Sequence, residues 1–435
     1  MSASRKCIVA FAVLTALLGA GCGGSEEEKQ QGSVVNESAN AKSGFTDWGW
    51  PLPYRRVSPE SVAWLKEKGW WPLKAAYQSP FSGQNNVNVV MWKEGLMQKR
   101  GIEAEWQPFA SGPEVIEAFL ADQVQVGNGG NFPFTTLIDN SAPAKCVAVV
   151  APNLLHGVLV PKASPLKSLE DLKGSKAVVG IVAGSSAEFY FQAAAEQAGL
   201  KPGTDVTLKN MPIPEQQTLP KGIDAVVPWD PAPTFMQTQI KNARLIDSVF
   251  PHNFYMGCFY VHEDLIKNAP DVVQALVDAH VEAILLGRFD VDGVAKLLKQ
   301  DPNLASLPDA LLLDQVKKYN NLYKPTFAYP DERFWPAENE RIAKFLKAGG
   351  RIKQDIDAAS WEQAMEPRFM ESTFKTLGWK VPKQPPFIPD DWSGQVGKVP
   401  YPPYDNPQTL SKPQPWPEPG DLTQEWQFNG ETFKP

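Results

Sequence analysis

The sequence predicts an α/β protein with two open, doubly wound sheets and a mainly helical C-terminal part. Three observations predict it. From Lys74 onward, short apolar runs of strand length alternate with amphipathic stretches of helix length, as in sheets covered by helices on both faces. The alternation runs once from Lys74 to Val150 and again from His156 to Val261. Beyond His262 the strand pattern stops, and helical periodicity continues to Phe374.

The elements follow in order. Lys74–Gln78 reads as a strand, and Asn86–Lys99 as an amphipathic helix with Val87, Val90, Met91 and Met97 inward, stopped by Gly101. Ile102–Trp106 alternates as a strand does. Pro113 opens a helix at its first turn. Val124–Gly127 is a strand, Pro133 opens a short helix, and Cys146–Val150 is apolar throughout, as a strand covered on both faces should be. In the second series His156–Val160, Ala177–Val182, Val206–Leu208, Ile223–Val227, Ala243–Ile246 and Tyr255–Val261 read as strands. Ser168–Gly174 has the start and stop residues of one helical turn, and a longer helix runs from Ser186 to Ala198 and ends at Gly199. Pro270–Leu286 is the clearest helix of the C-terminal part.

The N-terminus has a different character. Arg5 and Lys6 precede an apolar run, Ile8–Leu18, that is shorter than the roughly 20 residues a spanning helix needs. Gly19-Ala20-Gly21 then leads to Cys22, the order of a secretory signal peptide over residues 1–21. A cysteine directly after small residues resembles the lipidation site of bacterial lipoproteins, although Gly19 stands where that motif usually has leucine. The expectation is an acylated Cys22 followed by a flexible tether over 22–44; the alternative is an ordinary signal peptide with Cys22 incidental. Residues 45–73 and 377–435 form Pro- and Trp-rich arms that cannot pack as helices or central strands. They are expected to lie along the globular body, with a docking surface for another protein as the alternative.

Composition excludes several classes. The formal charge of −7 and the absence of a basic run argue against a nucleic-acid partner. The four histidines are scattered, and no HExxH, GxSxG or phosphate-loop motif is present, so neither catalytic residues nor a metal or cofactor is expected. Cys146 and Cys258 sit in apolar runs and read either as buried thiols or as a disulfide.

The chemistry-bearing positions lie in the turns after strands, where ligands of open α/β sheets bind. Four turns qualify: Gln78–Asn85 with Phe81, Ala110-Ser111-Gly112-Pro113, Gly129-Gly130-Asn131-Phe132-Pro133, and Gly184-Ser185-Ser186. Three of them place small or hydroxyl residues at a helix start. The N–H groups there have no intrahelical partner, and the helix dipole favours an anionic group such as a carboxylate or sulfonate. Phe81, Phe132, Phe189 and Trp229 offer an apolar wall that would equally suit an uncharged or aromatic ligand, while ordinary core packing is the plainer role for Phe189.

From Lys74 to about Thr376 the chain resembles the sulfonate/taurine/nitrate-type substrate-binding proteins of ABC importers, a group that includes thiamin-precursor binders. The resemblance rests on Phe109-Ala110-Ser111-Gly112-Pro113, Glu117-Ala118-Phe119-Leu120, Gly130-Asn131-Phe132-Pro133, Lys167–Gly174, Gly184-Ser185-Ser186, Ile223-Asp224-Ala225-Val226, Trp229-Asp230-Pro231 and Asn268–Val273, in that order. It implies a type II periplasmic-binding-protein fold in which lobe one comprises 74–155 plus 258–376 and lobe two 156–257, with crossovers near His156 and Met256. It also points to Gln78, Ser111, Asn131, Ser185, Ser186 and Trp229 or Asp230 as cleft residues, to which the reading of the turns adds Phe81, Gly112 and Phe132 as expected ligand contacts. The expected protein is a monomer, not an enzyme. It would bind a small organic ligand, be lipid-anchored at the cell envelope, and partner an ABC permease. A membrane-tethered sensor or scaffold on the same fold is the alternative. Asn131 stands where an acidic or hydroxyl residue is common, so the resemblance does not carry over the ligand class.

Overall fold

The computed structural model describes residue 50 and residues 54–78, 86–151, 156–249, 252, 255–322, 328–377, 426–428 and 431–433. Cys22, Phe81 and most of the C-terminal arm lie outside these residues.

The strands are β1 (Leu73–Gln78), β2 (Ala104–Phe109), β3 (Val126–Gly130), β4 (Ala144–Ala151), β5 (Gly157–Pro161), β6 (Val178–Ile181), β7 (Thr207–Asn210), β8 (Ala225–Val226), β9 (Ala243–Ser248), β10 (Gly257–His262), β11 (Trp426–Phe428) and β12 (Glu431–Phe433). They form a first sheet in the order β2-β1-β3-β10-β4, a second in the order β7-β6-β8-β5-β9, and an antiparallel hairpin, β11-β12. In the first sheet β1 pairs in parallel with β2 and β3, while β10 runs antiparallel to β3 and β4. In the second, β6 is parallel to β7 and β8, and β5 is antiparallel to β8 and β9. The chain leaves the first sheet after β4 and rejoins it at β10. Among the crossover residues, the amide of Val249 donates to His156 O and that of Asn131 to Met256 O.

The helices are α1 (Pro59–Glu67), α2 (Asn86–Lys93), α3 (Gly112–Leu120), α4 (Asn131–Asp139), α5 (Ser186–Gln197), α6 (Ile213–Thr218), α7 (Ala232–Phe235), α8 (Glu263–Asn268), α9 (Pro270–Phe289), α10 (Val291–Leu298), α11 (Asp309–Leu322), α12 (Trp335–Ala348), α13 (Ala358–Gln363) and α14 (Arg368–Leu377). Three expectations need local correction. The arm over 45–73 is not free of helix: α1 forms within it, because Ser58 caps the start by accepting from the Ser61 amide and Pro59 stands at the first turn, where proline is tolerated. The helix from Asn86 ends at Lys93, not Lys99, because Gly95 takes a left-handed φ of 62° and a separate 3-10 turn follows at Gln98–Arg100. The strand expected at 102–106 lies at 104–109 and includes Pro108, which an edge strand such as β2 accommodates.

The core is continuous from one face of the first sheet to the other. β4 is buried from Cys146 to Val150 and β10 from Gly257 to Val261, with α14 packed against β4 and α9. His280 of α9 lies parallel to the Phe259 ring at 5.0 Å, with Nε2 3.2 Å from Val149 O. Cys146 and Cys258 are free and buried; burial, with the hydrogen bond the Cys258 thiol makes to Cys146, holds that thiol well above its usual range. The described part of the N-terminal arm packs onto α9. Tyr54 Oη donates to Glu282 Oε1 at 2.5 Å, Glu282 pairs with Arg100 at 2.7 Å, and the Arg100 guanidinium lies over the Tyr54 ring. Ser61 Oγ and the Ser58 amide both donate to Asp271. Among the described residues, no helix is long and apolar enough to cross a membrane.

Candidate functional site

Three helix starts converge where the two sheets approach each other. Ser111 is the N-cap of α3 and Ser185 that of α5, both in extended conformation, and Gly130 is the N-cap of α4. Neither serine hydroxyl caps its own helix. The first-turn carboxylates do part of that work. Glu114 Oε2 accepts from the Ala110 amide at 2.8 Å, and Glu188 Oε2 from the Gly184 amide at 2.7 Å. Ser185 Oγ instead donates back to Val182 O at 2.6 Å.

The closeness of the turns is clearest at their glycines. A Cβ placed on Gly112 would sit 2.9 Å from Pro133 Cγ and 3.5 Å from Gln78 Nε2, so the α3 start, the α4 start and the end of β1 are in contact. Gly184 brings the second sheet's turn to the first: its Cβ would lie 3.6 Å from Pro113 Cγ. A Cβ on Gly130 would collide with Ser186 Oγ and lie 2.7 Å from Tyr255 Cε2. Glycine at 112 and 130 is therefore required by close approach rather than by backbone angle. The structure thus brings Gln78, Ser111, Gly112, Asn131, Ser185 and Ser186 to one region. Phe132 joins them: its ring is 6.0 Å from Phe189, which meets Phe345 of α12 edge-on at 5.1 Å. Phe189 is half-buried and packs against the main core at this contact, in keeping with the packing role expected of it.

Trp229 is buried and forms an isolated backbone bridge with His156 at the crossover. Asp230 has another task from the one expected. It is fully buried and bonded by protein: Thr234 Oγ1 donates to Oδ1 at 2.9 Å, Gln315 Nε2 to Oδ2 at 3.1 Å, and Lys318 Nζ stands 3.8 Å from Oδ2. Gln315 and Lys318 belong to α11, so Asp230 ties the second-sheet side to the C-terminal helices. A similar link joins Glu188, 3 % exposed, to Arg351 beyond α12 at 2.5 Å.

Sequence reasoning missed Asn339, which accepts from Asn131 Nδ2 at 2.7 Å, and with it Tyr255, Gln315, Lys318, Phe345 and Arg351. All except Tyr255 come from the helical C-terminal part, where a polar residue looks like any solvent-facing one. Among the described residues no group of three or more His, Cys, Asp or Glu could hold a metal ion.

Two mixed α/β sheets joined by crossover segments, with helix starts from both in contact where the sheets approach, define a periplasmic-binding-protein fold. Residues 89–286 match the NMT1/THI5-like family model. The chain is similar to the taurine-binding periplasmic protein of Escherichia coli strain K12, at 23 % identity over 310 residues, covering 69 % of this chain and 92 % of that protein. Among solved structures it resembles the alkanesulfonate-binding protein SsuA of Xanthomonas axonopodis pv. citri bound to MOPS, with TM-score 0.59, 22 % identity, and coverage of 68 % of this chain and 97 % of the other. The periplasmic nitrate-binding protein NrtA of Synechocystis PCC 6803 matches with TM-score 0.59 and 14 % identity, covering 71 % of this chain and 89 % of the other.

Proposed function

We propose that the chain is the exported, lipid-anchored substrate-binding protein of an ABC importer. It closes two lobes around a small organic ligand and delivers that ligand to a membrane permease. The observation that carries the reading is the meeting of three helix starts at one gap, two from the first sheet and one from the second. Helix starts concentrate N–H donors and the positive ends of dipoles, so their convergence suits a sulfonate or carboxylate without a cationic side chain. The named ligands of the relatives, taurine and alkanesulfonates, support the same class.

A ligand that touches both lobes binds the closed form better than the open one, and that difference drives closure. Phe132, Phe189 and Trp229 supply an apolar boundary for the ligand's carbon portion. Acylation at Cys22 would hold the receptor near its permease. A larger aromatic or uncharged ligand is the second reading, favoured by the Phe132–Phe189–Phe345 contact series. A thermal-shift screen over sulfonates, carboxylates, nitrate, pyrimidines and neutral aromatic compounds separates the readings. A true ligand at 100 times its dissociation constant stabilises by about 2.7 kcal/mol. A response to sulfonates or carboxylates supports the first reading, and a response to neutral aromatics alone replaces it with the second. A flat response across all classes contradicts both.

A further inference from the structure

We infer that Asn339 on α12 fixes the hydrogen-bonding polarity of Asn131, and thereby selects ligands that bring an N–H or O–H donor as well as an anionic group. The inference rests on the binding-protein reading above. Three groups buried near the crossover form a chain. Asn339 Nδ2 lies 3.5 Å from Met256 Sδ, and Asn131 Nδ2 donates to Asn339 Oδ1 at 2.7 Å. Asn131 is 2 % exposed, and Asn339 and Met256 are fully buried.

A thioether has lone pairs and no proton to give, so it can only accept. That sets the direction of the whole chain. Asn339 must turn its NH2 toward the sulfur, which leaves its oxygen toward Asn131. Asn131 must then present its own NH2 to Asn339. The reverse arrangement would place Asn339 Oδ1 against the sulfur lone pairs with no hydrogen between them. The rest of Asn131 is already engaged: its amide donates to Met256 O at 2.8 Å, and its carbonyl accepts from Thr135 Oγ1 at 2.8 Å. The one polar atom of Asn131 without a partner among the described residues is Oδ1, at the start of α4 beside Gly130 and Phe132. Oδ1 is not sealed from solvent, so a ligand donor placed there replaces water on an acceptor that the protein leaves open. The helix starts favour the anionic end of a ligand, and Asn131 Oδ1 favours a donor elsewhere on it.

Taurine, isethionate and ethanesulfonate share a sulfonate on a two-carbon frame. They differ in carrying an ammonium, a hydroxyl or no donor. Isothermal titration of the full chain should show taurine or isethionate binding about tenfold or more tighter than ethanesulfonate. Asn339→Leu removes the acceptor that holds Asn131, and the ratio should collapse to within about threefold. Asn339→Asp keeps an acceptor facing Asn131 and should retain the preference. Met256→Leu preserves volume while removing the thioether, and should narrow the ratio in a protein that folds normally. Equal affinities of the wild-type protein for all three probes overturn the inference and leave the binding-protein reading standing. A ratio unchanged in both Asn339→Leu and Met256→Leu, or lost equally in Asn339→Asp, also overturns it. Failure of every probe to bind removes the inference, while the broader ligand screen independently decides the binding-protein reading.

Discussion

Gly130→Ala is the sharpest structural perturbation available at the gap between the sheets. Gly130 has φ −67° and ψ 158°, angles any residue adopts, so alanine carries no backbone penalty there. The methyl group is the entire perturbation. It would collide with Ser186 Oγ from the second sheet's turn and approach Tyr255 Cε2 to 2.7 Å. The methyl fits only if the second-sheet turn withdraws or Tyr255 is displaced. Overpacking of this kind costs about 1–3 kcal/mol. If closure bears the cost, it appears in binding: a drop of that size in the stability of the closed form weakens apparent affinity by about 5- to 150-fold. Titration calorimetry with the ligand found in the thermal screen measures it, and small-angle scattering reports whether the liganded protein still contracts. Ser186→Gly added to Gly130→Ala removes one of the two obstructions and should recover part of the loss. Unchanged affinity and unchanged contraction in Gly130→Ala would refute the argument that these turns meet on closure.

Other consequences follow from the buried charges. Lys318→Met leaves the fully buried Asp230 without its cation and should cost about 3–5 kcal/mol in denaturant unfolding; adding Asp230→Asn should restore part of it. A loss below about 1 kcal/mol would show that this pair is not structurally important. Arg351→Ala breaks the link to Glu188 from a half-exposed position, so the expected stability loss is about 1 kcal/mol or less, with ligand affinity a more sensitive readout than the melting temperature. His280 is buried and its pKa is lowered to about 4 by desolvation. The unfolded chain therefore binds the proton more readily, and the stability from keeping this ring neutral is fully present above about pH 6.5 and lost as pH falls toward 4. His280→Phe should flatten that part of the pH–stability curve, and an unchanged slope would contradict the assignment.

The strands were legible because their apolar runs are short, are punctuated by Gly and Pro, and answer to local pairing. The helix starts were legible for a similar reason: Ser111-Gly112-Pro113 and Gly184-Ser185-Ser186 encode their own turns. The contacts that join the halves were not. Asp230 reads as an acidic residue at a strand end, and only the fold shows that α11 delivers Gln315 and Lys318 to it. Lys318 itself looks like a solvated helix lysine, and its side chain is only 6 % exposed. Asn131 was visible as a turn residue, but its partner Asn339 lies 208 positions away on a helix whose pattern says nothing of a binding site. Gly95 and Pro108 moved element boundaries because the first adopts a left-handed conformation and the second sits on an edge strand that tolerates it.

Amide hydrogen exchange with and without the ligand from the thermal screen tests most directly whether helix starts from both sheets hold one molecule. Slowed exchange is expected in three separate stretches, at 111–116, 130–135 and 185–190, on saturation with ligand. Protection confined to one sheet's turns, or found only elsewhere on the surface, would contradict it.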